Sequence, residues 1–337
     1  MFTEAQDLQL DAYELLVFGS PEPRCLHGLG SISELGRLER AWLVTFADYD
    51  GGQPTDLCRE DISAIRQYHD HIVALEKQLN EHTSRINKIG RRLNVLQPFD
   101  DNLGPVSPFE LPVVVDISCA PRGHLLALLD YLARCQQATR QSVSIMYSLV
   151  SRQSVSEDAY SYGMQDVSVV PGFYGQIRLR HDLLILVLGF EGNRAFSLYK
   201  RLAPNKTFLI MGVTNDADRL FYRERAHLNN HGLIHIYGND LREMPSRDPY
   251  AFATELNNFL RAEIEPLAER FNIYFSCLGT KLQTLGAFLA LQSHPYVQVI
   301  DSIPTRRRIA SQGDRQTLFE SFDTQGLIAP HAFSACT

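Results

Sequence analysis

Short apolar runs alternate with helix-length amphipathic stretches along this sequence, and that alternation limits the fold more than any other feature. The runs lie at 13–19, 41–47, 111–117, 143–149, 182–190, 207–213, 233–238, 272–277 and 297–301. Most are hydrophobic throughout rather than at every second residue, which is typical of strands that are covered on both faces. Helical patterns lie between them, at 121–138, 191–202, 216–230, 249–270 and 280–293. This order predicts an α/β fold with doubly wound, mostly parallel sheets.

The chain has 337 residues, which is long enough for two such units. The segment 150–180 is rich in serine, glycine, tyrosine and proline, and it interrupts the alternation of strands and helices. That composition is typical of a long connection. We therefore predict two Rossmann-like halves, an N-terminal half at 1–165 and a C-terminal half at 166–337.

One stretch in the N-terminal half, 58–97, has apolar residues at steps of three and four from Ile65 to Leu93. This heptad pattern predicts a single helix over 58–97, roughly 50 Å long. A crossover helix does not need that length, so the pattern predicts that part of the helix projects and binds a protein partner or a second copy of the chain as a coiled coil. A long crossover helix that packs wholly on its own domain remains the alternative.

Charge and cysteine usage restrict the partners and the compartment. The net charge of −7 argues against a general binder of duplex nucleic acid and leaves only local basic patches, at Arg91-Arg92 and at 306–308. The six cysteines show no CxxC spacing, the N-terminus lacks an export-signal pattern, and the longest apolar run, 183–190, is too short to cross a membrane. A reduced cytoplasmic protein without a membrane segment is expected.

Polar residues follow two of the predicted strands, at the edge where open parallel sheets bind ligands. An arginine there suits an anion, a carboxylate suits a hydroxyl group, and an acid also permits acid–base catalysis. Helix capping and internal ion pairs explain the same residues without a ligand. The candidate ligand-binding residues are Ser118, Arg122, Gly189 and Arg194, and the candidate catalytic residues are Asp116 and Glu191.

A third junction, within SCLGTKLQTLGAFLA at 276–290, carries Gly279, Thr280 and Lys281. The glycine permits a close approach of the backbone to a ligand, the helix N-terminus presents N–H groups, and the lysine supplies a positive charge suited to phosphate. The patterns GxxxxGK[ST] and GxGxxG are absent, and no metal site is predicted. A capped strand-to-helix turn remains the alternative.

The stretch 272–291, in which a strand runs into Gly279-Thr280-Lys281 and then a helix, resembles the C-terminal motif of the CRISPR-associated Rossmann-fold (CARF) sensor domains. In that family the loop helps to hold cyclic oligoadenylate or a related nucleotide, so the resemblance implies a nucleotide ligand at these three residues. Leu278 stands where the family usually has another glycine. The segments DISCAPR (116–122) and GFEGNR (189–194) likewise resemble Rossmann-like proteins of prokaryotic antiviral-defence and mobile-element loci.

Three functions are compatible with these features. The first is a nucleotide- or phosphate-responsive sensor or accessory subunit of a prokaryotic antiviral defence complex, with the anion held by Lys281, Arg122 and Arg194. The second is an enzyme that acts on nucleotides, NAD or nucleic acid, with Asp116 and Glu191 as acid and base. The third is a non-catalytic adaptor that docks a partner through the helix predicted at 58–97. No residue pattern identifies the cofactor or ligand.

Overall fold

The structure, a computed structural model, describes residues 10–49, 59–139, 142–150, 163–176, 181–214, 220–304 and 313–322. These residues form two compact units. The first unit comprises 1–121, 131–159 and 308–327, and the second comprises 122–130, 160–307 and 328–337. None of the described helices is both long and apolar enough to cross a membrane.

The strands of the described chain are β1 (Leu10–Phe18), β2 (Gly36–Phe46), β3 (Ile86–Arg91), β4 (Val113–Asp116), β5 (Val143–Val150), β6 (Asp166–Tyr174), β7 (His181–Leu188), β8 (Lys206–Val213), β9 (Leu241–Pro245), β10 (Phe271–Cys277), β11 (Val297–Ile303) and β12 (Gly313–Phe322). The α-helices are α1 (Arg24–His27), α2 (Ile32–Leu35), α3 (Arg59–Asn80), α4 (Asp100–Leu103), α5 (Arg122–Thr139), α6 (Gly192–Leu202), α7 (Leu220–Asn229), α8 (His231–Tyr237), α9 (Pro249–Phe259) and α10 (Lys281–Leu291).

Each unit contains one six-stranded sheet. The strand order is β12-β5-β4-β1-β2-β3 in the first unit and β6-β11-β10-β7-β8-β9 in the second. Five strands of each sheet are parallel, and the outermost strand, β12 or β6, is antiparallel to its neighbour. In each unit the chain runs outward from β1 or β7 and then returns to the other side of that strand. Both units therefore have the predicted Rossmann-like, doubly wound fold.

The two sheets also share an unusual connectivity at their antiparallel edges. β6 follows β5 in the chain but pairs with β11, and β12 follows β11 but pairs with β5. Each sheet therefore receives its sixth strand from the segment that follows the fifth strand of the other sheet. The central strands carry the cores: all four residues of β4 are buried, as are the last six of β7, in keeping with strands covered on both faces.

The single helix predicted over 58–97 is wrong in extent. α3 ends at Asn80, and after a turn the residues from Ile86 to Arg91 form β3, parallel to β2. The Thr83 side chain fixes the turn, since its hydroxyl donates to the carbonyl of Glu39 at 2.8 Å and accepts the amide of Arg85 at 3.1 Å. The apolar spacing simply continues across the turn into a strand, so the pattern overstated the helix.

The apolar stripe of α3 faces its own unit rather than a partner. Tyr68, Ile72, Leu75 and Leu79 belong to the buried core of the first unit. The interpretation of this stripe as a coiled-coil surface is therefore wrong, because these side chains are already buried. A partner that docks on the described part of α3 would have to use its outer face, where Val73 is exposed.

Arg91 is also buried rather than part of a basic surface patch. Its guanidinium lies 4.0 Å from the centre of the Phe99 ring and donates to the carbonyl groups of Gln97 and Pro98 and to the side chain of Asn102. Burial lowers its pKa to about 10. Arg91 thus holds the loop after β3, and the second basic patch, 306–308, lies outside the described residues.

Candidate functional site

The candidate site of the second unit lies at the carboxyl ends of β7 and β10. These parallel strands are neighbours, paired from His181 with Phe271 to Val187 with Cys277. They flank the point at which the order of strands reverses, which is where doubly wound sheets bind ligands. Gly189 follows β7 and lies so close to the end of β10 that a Cβ atom there would be 1.9 Å from the carbonyl oxygen of Leu278.

Arg122, the first residue of α5, joins the loops that follow these two strands. Its Nε donates to the carbonyl of Gly279 at 2.8 Å, and its Nη1 donates to Oε2 of Glu191 at 3.1 Å. Burial alone lowers the pKa of Arg122, but the negative charges of Glu191 and Asp301 raise it above its ordinary value. Arg122 therefore keeps its positive charge and is fixed in position by these hydrogen bonds, and its side chain remains 22% exposed.

Arg194 belongs to the same network but is buried within it. Its Nη1 donates to Oε2 of Glu191 at 2.8 Å, its Nη2 donates to Oδ1 of Asp301 at 3.0 Å and to the Ser302 carbonyl, and its Nε donates to the Ser302 hydroxyl at 2.7 Å. The other oxygen of Asp301 accepts the amide of Gly123 at 3.1 Å. All three guanidinium nitrogens are thus bound to groups of the protein itself.

The N-terminus of α10 lies beside this network, immediately after Gly279. Thr280 is its N-cap and forms a capping box with Gln283: the Thr280 hydroxyl accepts the Gln283 amide at 3.1 Å, and Oε1 of Gln283 accepts the Thr280 amide at 2.9 Å. Lys281 is the first residue of the helix and is partly exposed. The capped-turn interpretation of this junction is therefore confirmed, and it leaves the ligand interpretation open.

In the first unit Asp116 and Ser118 form a closed, buried network. Oδ1 of Asp116 accepts the amide of Ser118 at 2.8 Å and also the Ser118 hydroxyl, which in turn accepts the amide of Ser148 at 2.8 Å. Oδ2 of Asp116 is buried and accepts no hydrogen bond from the residues that the structure describes. Their predicted roles in catalysis and ligand binding stay predictions. The candidates thus fall into two groups: Asp116 and Ser118 lie in the first unit, and the remaining candidates lie in the second.

A structural motif recurs at the equivalent place in both sheets. After the first parallel strand of each unit, β1 or β7, an arginine binds an acid of its own loop and also the carbonyl of a serine in the fifth parallel strand, β5 or β11. Both arginines are buried. The first unit uses Glu22, Arg24 and Ser148, and the second uses Glu191, Arg194 and Ser302. The recurrence indicates that this acid–arginine pair fastens the loop to the sheet in either unit.

Asp116 is expected to make the stability of the protein depend on pH. Burial raises its pKa from 3.8 to about 6, although the hydrogen bonds from Ser118 oppose the change. The folded state therefore binds a proton more tightly than the unfolded state, so the free energy of unfolding should fall as pH rises from about 4 to 6, by roughly 3 kcal/mol. Urea denaturation at pH 4, 5, 6 and 7 measures it.

Two substitutions test this assignment. Asp116→Asn removes the titrating group, so it should abolish the decrease in the free energy of unfolding that is due to Asp116. Ser118→Ala removes a hydrogen bond that favours the carboxylate, so it should move the fall to higher pH while lowering stability overall. An unchanged pH profile in Asp116→Asn would contradict the assignment.

Several residues of the second-unit network were not predicted from the sequence. Asp301 ends an apolar run, just as Asp116 does, and that position was the available signal. Asn229 ends α7, Asn230 follows it, and neither carries such a signal, yet their side-chain amides donate to the carbonyl groups of Phe190 and Gly189, respectively, each at 2.7 Å. Among the described residues, no group of three or more His, Cys, Asp or Glu is arranged to hold a metal ion.

Comparisons with known proteins concern the fold alone. No protein-family model matches the sequence, and no curated protein matches it. A Type III CRISPR defence DNA nuclease activated by cyclic oligoadenylate is similar with a TM-score of 0.46 and 11% identity, covering 83% of this chain but only 63% of the nuclease. The reductase domain of an aureusimine biosynthetic cluster is similar with a TM-score of 0.24 and 10% identity, covering 91% of this chain and 68% of the reductase.

Proposed function

We propose that the second unit binds a phosphate-bearing ligand at the carboxyl ends of β7 and β10, beside the N-terminus of α10. The observation that carries this proposal is the position of Arg122. It is a charged, partly exposed arginine, held by Glu191 and by the carbonyl of Gly279, the residue just before the cap of α10. A cation fixed beside a helix N-terminus is a suitable arrangement for an anion.

The balance of charge favours the N-terminus of α10, rather than the buried Arg194, as the place where the phosphate binds. Arg122 and Arg194 face Glu191 and Asp301, so these four charges cancel. Lys281 and the dipole of α10 add positive potential at the N-terminus of that helix. The ligand phosphate is therefore assigned to Lys281 and the outer side of Arg122, whereas Arg194 supports the loop from within. Thr280 contributes as the cap of the helix, since its amide donates to Gln283 and its hydroxyl donates to the carbonyl of Ser246 at 3.2 Å.

The first turn of α10 has donors directed to this side. The capping box uses the amides of Thr280 and Gln283, and helix geometry directs the amide of Leu282 out of the helix end. The side-chain Nε2 of Gln283 is buried and donates to none of the described residues. Because Oε1 of Gln283 accepts the Thr280 amide, the orientation of the side-chain amide group is fixed. Its Nε2 therefore points the other way and lies 2.8 Å from the position that a Cβ atom on Gly212 would take.

Two parts of the proposed function, a response to the ligand and a place in a defence complex, are inferred from the sequence resemblance. The resemblance of Gly279-Thr280-Lys281 to the CARF motif supports a nucleotide as the ligand and a sensor or accessory role in prokaryotic antiviral defence. The buried state of Asp116 supports binding rather than catalysis, because its carboxylate is enclosed in the first unit. The proposed function is accordingly a nucleotide- or phosphate-binding Rossmann-like subunit.

Lys281→Ala tests this function directly. Removing one charged donor at the helix end should weaken binding of ATP and of inorganic tripolyphosphate by about tenfold, the usual worth of one charge-assisted hydrogen bond. Isothermal titration calorimetry measures both affinities, and a melting curve by circular dichroism verifies that the fold is intact.

Lys200→Ala is the matched control, because Lys200 lies in the last turn of α6 and packs on Phe196 rather than at a strand end. It should leave both affinities unchanged. If neither anion binds the parent protein, or if Lys281→Ala binds both as tightly as the parent, phosphate binding at α10 is wrong.

A further inference from the structure

Exposed histidines follow one another at intervals of four residues along α7 and α8, at His227, His231 and His235. The strand predicted over 233–238 would have carried His235 away from His231, because four residues of extended chain span about 13 Å. The structure has the helix α8 at this place instead. A spacing of four in a helix puts His231 and His235 on one face, with their Cβ atoms about 5–6 Å apart.

The other side of α8 is packed on the second unit, which fixes the helix in place. Leu233, Ile234 and Tyr237 pack against the core of that unit, and the Tyr237 hydroxyl donates to the Tyr199 hydroxyl at 2.9 Å. The two histidines are therefore carried on a rigid element, and both are exposed to solvent. A pair of side chains on a packed helix is already close together before any ligand binds, so binding requires little further ordering of the backbone.

The ring of His231 is held by one of its two nitrogens. Its Nδ1 lies 3.0 Å from the carbonyl oxygen of Leu228. A carbonyl oxygen only accepts, so Nδ1 carries the hydrogen and the lone pair of the neutral ring is on Nε2. Histidines that bind metals commonly donate their other ring nitrogen to a backbone carbonyl in this way, which fixes the tautomer and the orientation of the ring. His231 therefore has the hydrogen bonding of a metal ligand.

The number and type of ligands determine which ion fits this pair. No three metal-binding side chains converge in the described part of the chain, and Asn230, with ψ at 12°, interrupts the helical backbone between His227 and α8. The site therefore has two protein ligands, His231 and His235, and water fills the other positions around the ion. Imidazole nitrogens suit Zn²⁺, Ni²⁺ and Cu²⁺, whereas Mg²⁺ and Ca²⁺ take oxygen ligands.

We propose that His231 and His235 together bind one divalent transition-metal ion on the outer face of α8. The lone pair of one imidazole nitrogen from each histidine forms the bond to the ion. The two histidines are neighbours only while α8 is helical, so the ion binds the folded chain in preference to the unfolded chain and should stabilise it. This metal site shares no residue with the phosphate site proposed at α10, and it does not depend on that function.

Titration calorimetry of the full chain with NiCl₂ tests this proposal, and MgCl₂ is the comparison ion. The parent protein should bind Ni²⁺ but not Mg²⁺, and saturating Ni²⁺ should raise its Tm. His231→Ala and, independently, His235→Ala each remove one of two ligands, so each should lower the affinity for Ni²⁺ by at least about tenfold and abolish the rise in Tm. Both positions are exposed, and circular dichroism verifies that the variants fold.

Two exposed histidines outside the pair serve as controls. His227→Ala lies one turn before His231, and His82→Ala lies in the turn after α3; both variants should bind Ni²⁺ as the parent does. A loss of affinity confined to His231→Ala and His235→Ala supports the proposal. Absence of Ni²⁺ binding by the parent, unchanged affinity in either of these two variants, or an equal loss in His227→Ala overturns it.

Discussion

Replacing Arg194 by methionine is expected to destabilise the second unit by about 3–5 kcal/mol. Arg194 is buried, and its three nitrogens bind Glu191, Asp301 and both oxygens of Ser302. Methionine fills much of the volume but leaves the two carboxylates with less compensation at a site poor in water. The loss of attraction and the cost of desolvation then act in the same direction, which makes this one of the largest single-residue effects expected.

Urea denaturation measures the size of that effect, and hydrogen–deuterium exchange shows where it falls. Protection should be lost in β7 and β11, which Arg194 fastens together through its loop. Arg223→Met is the matched control, since Arg223 pairs with Glu243 in an exposed ion pair, and such pairs contribute at most about 1 kcal/mol. Equal effects of the two arginines would show that the buried network is not a unit of stability.

Gly189→Ala should be comparably damaging, for a steric reason. The added Cβ would lie 1.9 Å from the carbonyl oxygen of Leu278 and 2.9 Å from its carbonyl carbon. Both contacts are with backbone, so relief requires the ends of β7 and β10 to separate, and the hydrogen bond from the Leu278 amide to the Val187 carbonyl, 2.9 Å long, would be strained. We expect a cost of about 3 kcal/mol, at the upper end for overpacking.

Gly232→Ala provides the opposite expectation for the same chemical change. A Cβ on Gly232 meets nothing within 4 Å, and the residue lies inside α8. Alanine there should be neutral or stabilise by up to about 1 kcal/mol through helix propensity. Thermal melts compare the Tm values of the two variants with that of the parent protein. A Gly189→Ala variant with the same Tm as the parent would refute the close approach of Gly189 to the backbone of Leu278.

The central strands were predictable because they are buried on both faces, whereas the edge strands were not. The runs at 13–19, 111–117, 182–190 and 272–277 correspond to β1, β4, β7 and β10. The four strands missing from the prediction, β3, β6, β9 and β12, are the four outermost strands of the two sheets. An edge strand has one free side and commonly carries polar residues or proline, as in INKIGR of β3 and LREMP of β9.

One predicted strand, 233–238, is the helix α8. Its residues Leu233, Ile234 and Tyr237 pack together against the core of the second unit. Their spacing of one, three and four is helical, and the short apolar run concealed it. Local composition alone does not distinguish a short buried helix from a strand when the run is six residues long.

The candidate site shows what position in a sequence can and cannot indicate. The strand-end rule selected Arg122, Glu191 and Gly279, and these residues meet by hydrogen bonds in the second unit, while their roles in binding and catalysis stay predictions. The same rule placed Asp116 and Ser118 in that group, but their side chains bind each other in the first unit. Which strand ends become neighbours depends on sheet order, and the order of strands is set by long-range pairing that no local pattern encodes.

The exchange of the sixth strands has a consequence for the protein during its synthesis. β12 is made about 160 residues after β5, the strand that it covers, so at about 5–20 residues per second the outer edge of β5 waits on the order of 10–30 s for its partner. A bare strand edge is a template for pairing with other chains. Misassembly is therefore most expected in the interval between the synthesis of β5 and that of β12. The sheet of the first unit is complete only when residue 322 has left the ribosome.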